Sequence, residues 1–234
     1  MIDALAWDTT HFGFSVGRVR DGRLGPDRAA FESAAAPFRC VYLLANGDDA
    51  ETALRTTDLG FVYVDGRLTL SVDLPAGGAE SASGGPVRAA RDADLPELER
   101  IAGSVHGESR FYFDARFPRD RVDELYRIWI RKAVREDSAG VLVADAGAGA
   151  CGYTTCRIRP DGVGEIGLVG VAESVRGRGL GKALSAAALR WFSARGAGTA
   201  EVVTQARNVT AQRLYLSAGF VPARFQVWYH RFAR

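Results

Sequence analysis

Lysine is nearly missing from this chain: Lys132 and Lys182 are two of its thirty basic residues, and arginine supplies the rest. That bias reads as the mark of a GC-rich genome, not of a function. Because 28 acidic residues oppose them, the formal net charge is only +2, which gives no reason to expect a nucleic-acid or membrane-surface partner. Cysteine is scarce as well. Cys40, Cys151 and Cys156 are scattered, which argues against a disulfide framework and for a reducing, cytoplasmic setting. No apolar run approaches transmembrane length, and Met1 to Asp8 lacks the basic-then-apolar order of a signal peptide. His11, His106 and His230 are far apart, and Cys151 and Cys156 have no second pair, so no metal site is expected. What remains is ordinary for a globular protein, 47% hydrophobic and 25% charged, and 234 residues hold one large domain or one and a half.

The most informative stretch is Arg176-Gly177-Arg178-Gly179-Leu180-Gly181. Before it, Glu165 to Val171 reads as a strand buried on at least one face; after it, Lys182 to Phe192 is rich in helix formers. Strand, glycine-rich turn and helix together make an anion site. The first amides of a helix lack intrahelical partners, its dipole favours negative charge there, and arginines add charge-assisted bonds to phosphate. A Walker loop is ruled out because Ala183 follows Lys182, and the glycines at 177, 179 and 181 miss the G-x-G-x-x-G spacing of a dinucleotide fold. Downstream, Ala200 to Gln205 reads as a second strand, Asn208 as the N-cap of a helix carrying Leu214 and Tyr215, and Gly219 as its C-terminal breaker.

Small and flexible residues from Pro75 to Pro86 predict a linker over 76–86, dividing an N-terminal domain over 1–75 from a larger one over 87–234. Past the linker, the pattern predicts a strand at Val87–Ala90 and a helix from Asp92 or Asp94 through Ala102. A second helix is expected from Asp120 to Arg135, with Val122, Leu125, Ile128, Trp129 and Lys132 near one face, then a hairpin over Val141–Ala144 and Gly152–Ile158. The N-terminal part holds Val41–Asn46, a helical stretch with Leu54, then Gly60-Phe61 and a strand pattern from Val62 to Val72. This order parallels Val202–Asn208, Leu214, Gly219-Phe220 and the strand that follows.

The R-x-x-G-x-G loop after a strand, followed by strand, Asn, helix with Tyr and Gly-Phe, resembles the GCN5-related N-acetyltransferase (GNAT) superfamily over about residues 140 to 234. The resemblance implies an α/β (α+β) mixed sheet that splays at its centre, here preceded by a smaller, degenerate half-copy of the same core that should not bind coenzyme. It also implies acetyl-CoA as co-substrate. Backbone groups of Val169 and Val171 would hold the pantetheine arm, and amides from Arg176, Gly177, Arg178, Gly179, Leu180, Gly181 and Lys182 would receive the pyrophosphate. Asn208 belongs to the same coenzyme motif. Tyr215 would be the general acid, since a phenol is protonated at neutral pH and can donate to a departing thiolate. Glu165, six residues before Val171, is expected on the same strand face as Val169 and Val171, where relatives keep a catalytic glutamate; water is the alternative base.

Three further blocks, Leu5–Phe14, Ser109–Phe113 and Tyr126–Val134, are similar to the bacterial TDP-fucosamine acetyltransferase family, which acts on a nucleotide-linked 4-amino-4,6-dideoxy sugar. That likeness implies acceptor contacts from Arg110, Phe111, Tyr112, His11 and Phe14, with aromatic faces for the sugar or base and arginine for the diphosphate. Packing against the N-terminal half is the other reading of those residues. A different small amine (amino acid, antibiotic or polyamine) or a non-catalytic acyl-CoA sensor are the competing functions, and the oligomeric state, a homodimer included, stays open.

Overall fold

Alternating apolar strands, punctuated by glycines and by Asp or Asn caps, set the order of elements in this computed structural model, which describes residues 1–75, 86–136, 139–145, 147 and 149–233. The N-terminal part runs β1 (Ile2–Ala4), α1 (Ala6–Phe12), β2 (Val16–Val19), α2 (Arg28–Ala35), β3 (Cys40–Asn46), α3 (Ala50–Asp58) and β4 (Val62–Asp73). The rest runs β5 (Val87–Ala89), α4 (Leu95–Val105), α5 (Arg110–Phe113), α6 (Arg119–Arg135), β6 (Ala139–Asp145), β7 (Ala150–Ile158) and β8 (Gly164–Val171). It continues through α7 (Leu180–Ser193), β9 (Thr199–Gln205), α8 (Val209–Ser217) and β10 (Val221–Phe232). Among the described residues no helix is long and apolar enough to cross a membrane. Most of the expected linker, 76–85, lies outside the described residues.

The segments β3–α3–β4 and β9–α8–β10 are built alike. Each helix has nine residues and a side-chain cap: Asp49 accepts from the Thr52 amide and Asn208 from the Ala211 amide, both at 3.0 Å. Each ends at a glycine in the left-handed region, Gly60 at φ 73° and Gly219 at φ 90°, where a Cβ would be strained. A buried phenylalanine, Phe61 or Phe220, then leads into a strand of twelve residues. Where the second segment has Tyr215, four residues before its glycine, the first has Thr56.

Among the described residues ten strands join in one sheet, ordered β1-β2-β3-β10-β4-β9-β8-β7-β6-β5. The closing strand of each segment fills the gap in the other. Strand β10 pairs antiparallel with β3 from Gln226↔Asn46 to Phe232↔Cys40. Strand β4 pairs antiparallel with β9 from Arg67↔Gln205 to Asp73↔Thr199, and β4 and β10 pair with each other. The cores are shared in the same way. Phe12, Val16 and Tyr42 pack with Leu98, Ile101, Phe111, Phe117 and Leu125 on one side of the sheet, while Leu70 of β4 packs with Ile166, Phe192, Val202 and Phe220 on the other.

Helix α6 buries Val122, Leu125, Tyr126 and Ile130, so its apolar stripe lies to one side of the one expected: Trp129 is 38% exposed and Lys132 is exposed. Tyr126 takes the inward place, stacked on His106 at 4.3 Å between ring centres.

Candidate active site

The centre of the sheet is split. Parallel strands β8 and β9 are paired only at Gly164↔Ala200, Glu165↔Glu201 and Ile166↔Val202, although β8 runs on to Val171 and β9 to Gln205. Beyond Ile166 the edge of β8 is therefore open. On its other side β8 holds to β7: the Ala172 amide donates to Cys151 O at 2.9 Å and the Leu168 amide to Thr155 Oγ1 at 2.8 Å. Amides alternate in direction along a strand. Those of Val169 and Val171, which lie between these two donors, therefore point into the notch. The expected backbone pair is thus on the open edge.

At the wide end of the notch stands the turn. Gly177 and Gly179 both have φ 78°, a conformation that admits glycine and strains other residues. The first amide to bond back within α7 is that of Ala183, to Gly179 O at 3.0 Å. The amides just ahead of it consequently lack intrahelical acceptors, at the positive end of the helix dipole. Arg176 and Arg178 are exposed beside them, and the Arg176 guanidinium donates from Nε to Val171 O at 3.3 Å. Positive charge and unpaired donors converge at one mouth.

Tyr215 lies on α8, 4% exposed, in the cluster that contains Ile166 and has Val169 packed against it, its ring edge-on to Phe220 at 5.7 Å. Burial pushes its phenol well above the ordinary tyrosine value, so it stays protonated across the physiological range.

Glu165 is not on the face expected. Pairing runs Thr154↔Val169 and Cys156↔Ile166, so one residue of β7 faces two of β8: a bulge. The extra residue resets the alternation, and Ile166 now shares a face with Val169 and Val171, leaving Glu165 on the opposite one. There it accepts from Arg157 Nη2 at 2.9 Å, beside Glu201, which accepts from Arg159 Nη1 at 2.7 Å. This is the side of the sheet that carries α4, α5 and α6.

On that side a cleft of about 530 Å³ is lined by Tyr63, Gly107, Glu108, Tyr112, Phe113, Arg119 and Arg207. Arg207 lies over the Phe113 ring at 3.9 Å and within 3.4 Å of Asp65 Oδ1; Arg119 lies 5.1 Å over Tyr112, whose hydroxyl donates to Asp123. Asp65 is 3% exposed, and burial, partly opposed by Arg207, pushes its carboxyl up to about 6. Of the expected acceptor residues, Tyr112 lines the cleft. The others turn inward. Phe111 is buried beside Phe12 and Phe117, Phe14 packs on Phe12, Phe117 and Phe232, and buried His11 donates from Nε2 to Arg121 O at 2.8 Å. Arg110 is caged by Tyr42, Phe111 and Trp228 at 4.0–4.3 Å and donates to Nε2 of fully buried His230, whose Nδ1 donates to Asp114 at 2.7 Å.

Residues 104–220, half of the chain, match the acetyltransferase (GNAT) family. The chain belongs to that family. It is 29% identical over 217 residues to a mycothiol acetyltransferase of Cellulomonas flavigena, an alignment covering 86% of this chain and 60% of that one. To the mycothiol acetyltransferase of Mycobacterium avium it is 30% identical over 146 residues, 56% and 43% of the two chains. The chain thus spans 60% or less of the length of these relatives. Its fold is shared with a GCN5-related N-acetyltransferase from Sphaerobacter thermophilus (TM-score 0.66, 17% identity, 99% of this chain and 76% of that one). It is shared too with a tandem GNAT protein of the clavulanic acid pathway (TM-score 0.58, 15% identity, 94% and 75%).

Within this GNAT chain the cleft residues Tyr63, Glu108, Arg119 and Arg207, and Asp65 beside Arg207, were not singled out by sequence reasoning. Asp65 and Arg67, two charges inside an otherwise apolar strand pattern, were the available signal for β4. Nothing local announces that β4 lies beside β9.

Proposed function

We propose that the protein is an acetyl-CoA-dependent N-acetyltransferase acting on a small amine. The observation that carries this reading is the open edge of β8, with the Val169 and Val171 amides leading to the unpaired amides and arginines of 176–182. That donor set suits a pantetheine arm ending in a diphosphate. When bound, acetyl-CoA supplies a thioester whose acyl carbon the amine attacks. Tyr215, buried and protonated beside the notch, donates its proton to the departing sulfur. Glu165, at the closed end of the notch and on the cleft side of the sheet, takes the proton of the amine, directly or through water. Asn208 contributes by holding α8, and thereby Tyr215, in register.

The small-molecule acceptor is supported by relatives named mycothiol acetyltransferases. The nucleotide-linked amino sugar is less well supported, since of the residues expected to grip it Phe111 and His11 are buried and Phe14 packs against the core. The test is thiol release from acetyl-CoA by the purified chain over a panel of amino acids, polyamines, free amino sugars and TDP-4-amino-4,6-dideoxy sugars. Amine-dependent release supports the enzyme. Tight acetyl-CoA binding with no release from any amine would favour an acyl-CoA sensor instead.

A further inference from the structure

The sheet face that carries Glu165 is studded with arginines, and they fall into two groups. Those over β7 are neutralised: Arg157 by Glu165, and Arg159 by Glu201 and Asp161. Those over β2, β4 and β10 are not. Arg67 donates from Nη1 to Gln226 Oε1 at 2.8 Å and to Thr69 Oγ1 at 3.3 Å, and Gln226 in turn donates from Nε2 to Asn46 Oδ1 at 3.3 Å. Amides and a hydroxyl orient this guanidinium without cancelling its charge. Register sets Arg224, Gln226 and Trp228 on the same face as Thr69, Arg67 and Asp65. Arg224 is exposed, and Arg18, likewise exposed on β2, leans over Trp228 at 5.3 Å. Among the described residues neither Arg67, Arg224 nor Arg18 has a carboxylate within salt-bridge reach.

We propose that Arg67 and Arg224, with Arg18 behind them, form an anion subsite of the acceptor groove, and that the acceptor is an amine bearing a carboxylate or phosphate group. This rests on the acetyltransferase reading above. The charges crowd one another: burial first, and Arg224 next, weaken the hold of Arg67 on its proton, only partly offset by Glu165. An incoming anion relieves that crowding and replaces the water lost by the half-buried guanidinium. The position also fits. Arg67 pairs across with Gln205, three residues beyond Val202, the last residue of β9 still joined to β8. At a strand's rise per residue that sets the anion roughly 10 Å from an amine at the closed end of the notch, the reach of a sugar phosphate or a short peptide carboxylate.

Two measurements on the full chain test it. With the coenzyme loop saturated by CoA, calorimetry with inorganic pyrophosphate as probe should detect a second, salt-sensitive site. Arg224→Gln, an exposed change that leaves the fold alone, and Arg67→Gln should each weaken it at least tenfold, while Arg119→Gln in the cleft should not. Initial rates on glucosamine 6-phosphate against glucosamine, and on a dipeptide against its C-terminal amide, then separate phosphate from carboxylate. The charged member of at least one pair should have the lower KM, and Arg67→Gln should abolish that preference. Absence of the second pyrophosphate site, or binding indifferent to both substitutions, overturns the subsite and leaves the acetyltransferase reading intact. Equal KM within both pairs overturns it as well. A pyrophosphate site on a chain that acetylates no amine overturns the acetyltransferase reading instead.

Discussion

Tyr215 carries one oxygen on which the proposed chemistry turns. Tyr215→Phe keeps the ring against Phe220 and deletes only that oxygen, so acetyl-CoA affinity and melting temperature should hold while kcat falls by roughly 10²–10⁴, the usual contribution of a general acid. Near-normal kcat would make Tyr215 a packing residue, which is the part Thr56 plays at the matching position. His230 gives a prediction of another kind. Burial pushes its ring down to about 3, whereas in an unfolded chain it titrates near 6.5. Between those values the unfolded state binds the extra proton, so stability rises with pH through the window and is lost as pH falls from 6.5 towards 3. His106, pushed down to about 4 by burial, adds to that loss in the same direction. Melting curves should fall steeply between pH 7 and pH 5, and His230→Gln, though less stable at pH 7, should show a shallower fall. A pH-independent melting temperature over that range would mean that neither ring is held neutral.

The 176–182 turn and the helix it opens act together. On the proposed reading, replacing Arg176 and Arg178 by alanine deletes two charge-assisted phosphate contacts of roughly 1.5–3 kcal/mol each, so acetyl-CoA affinity by calorimetry should drop at least tenfold; unchanged binding would refute the assignment of this turn. At the closed end of the notch a Cβ on Gly164 would stand 2.5 Å from Cγ of Phe192, a fully buried ring that cannot yield. Gly164→Ala should therefore cost about 1–3 kcal/mol of stability, read as a lowered melting temperature, and an unshifted transition would show the notch to be looser than its packing. These elements were legible because their signals are local. Glycines at alternate positions, Asn208 three residues ahead of the amide it caps, and Gly219 before Phe220 each specify their own few residues. The face of Glu165 was not legible, because it depends on a bulge opposite Thr155, whose hydroxyl takes the Leu168 amide across two strands. The cleft was hidden for the same reason: Tyr63 comes to it from β4 and Asp65 of that strand meets its Arg207, and only tertiary pairing brings the strand alongside β9.

The two halves of the chain cannot complete their sheets separately. A fragment beginning at residue 87 would keep β9 and β10 but lose β4 from between them, along with Leu70 and the Phe12–Tyr42 side of the shared core. Unpaired edges of that length favour association over folding. Such a fragment should be insoluble or fail to bind acetyl-CoA, and the full chain should unfold in one calorimetric transition with matching calorimetric and van't Hoff enthalpies; two resolved transitions would contradict it. The same interlock reaches into time. Asp65 meets Trp228, and Arg67 meets Gln226, across more than 150 intervening residues, so the entropy of closing a very long loop comes before any reward from those pairings. A refolding chain can make its helices and hairpins early, yet the strand that borders the notch becomes seated only when both crossed strands have found their slots. Competence to bind coenzyme should accordingly lag behind helix formation, and crowding should catch the chain in that interval, when β10 of one molecule can occupy the slot of another.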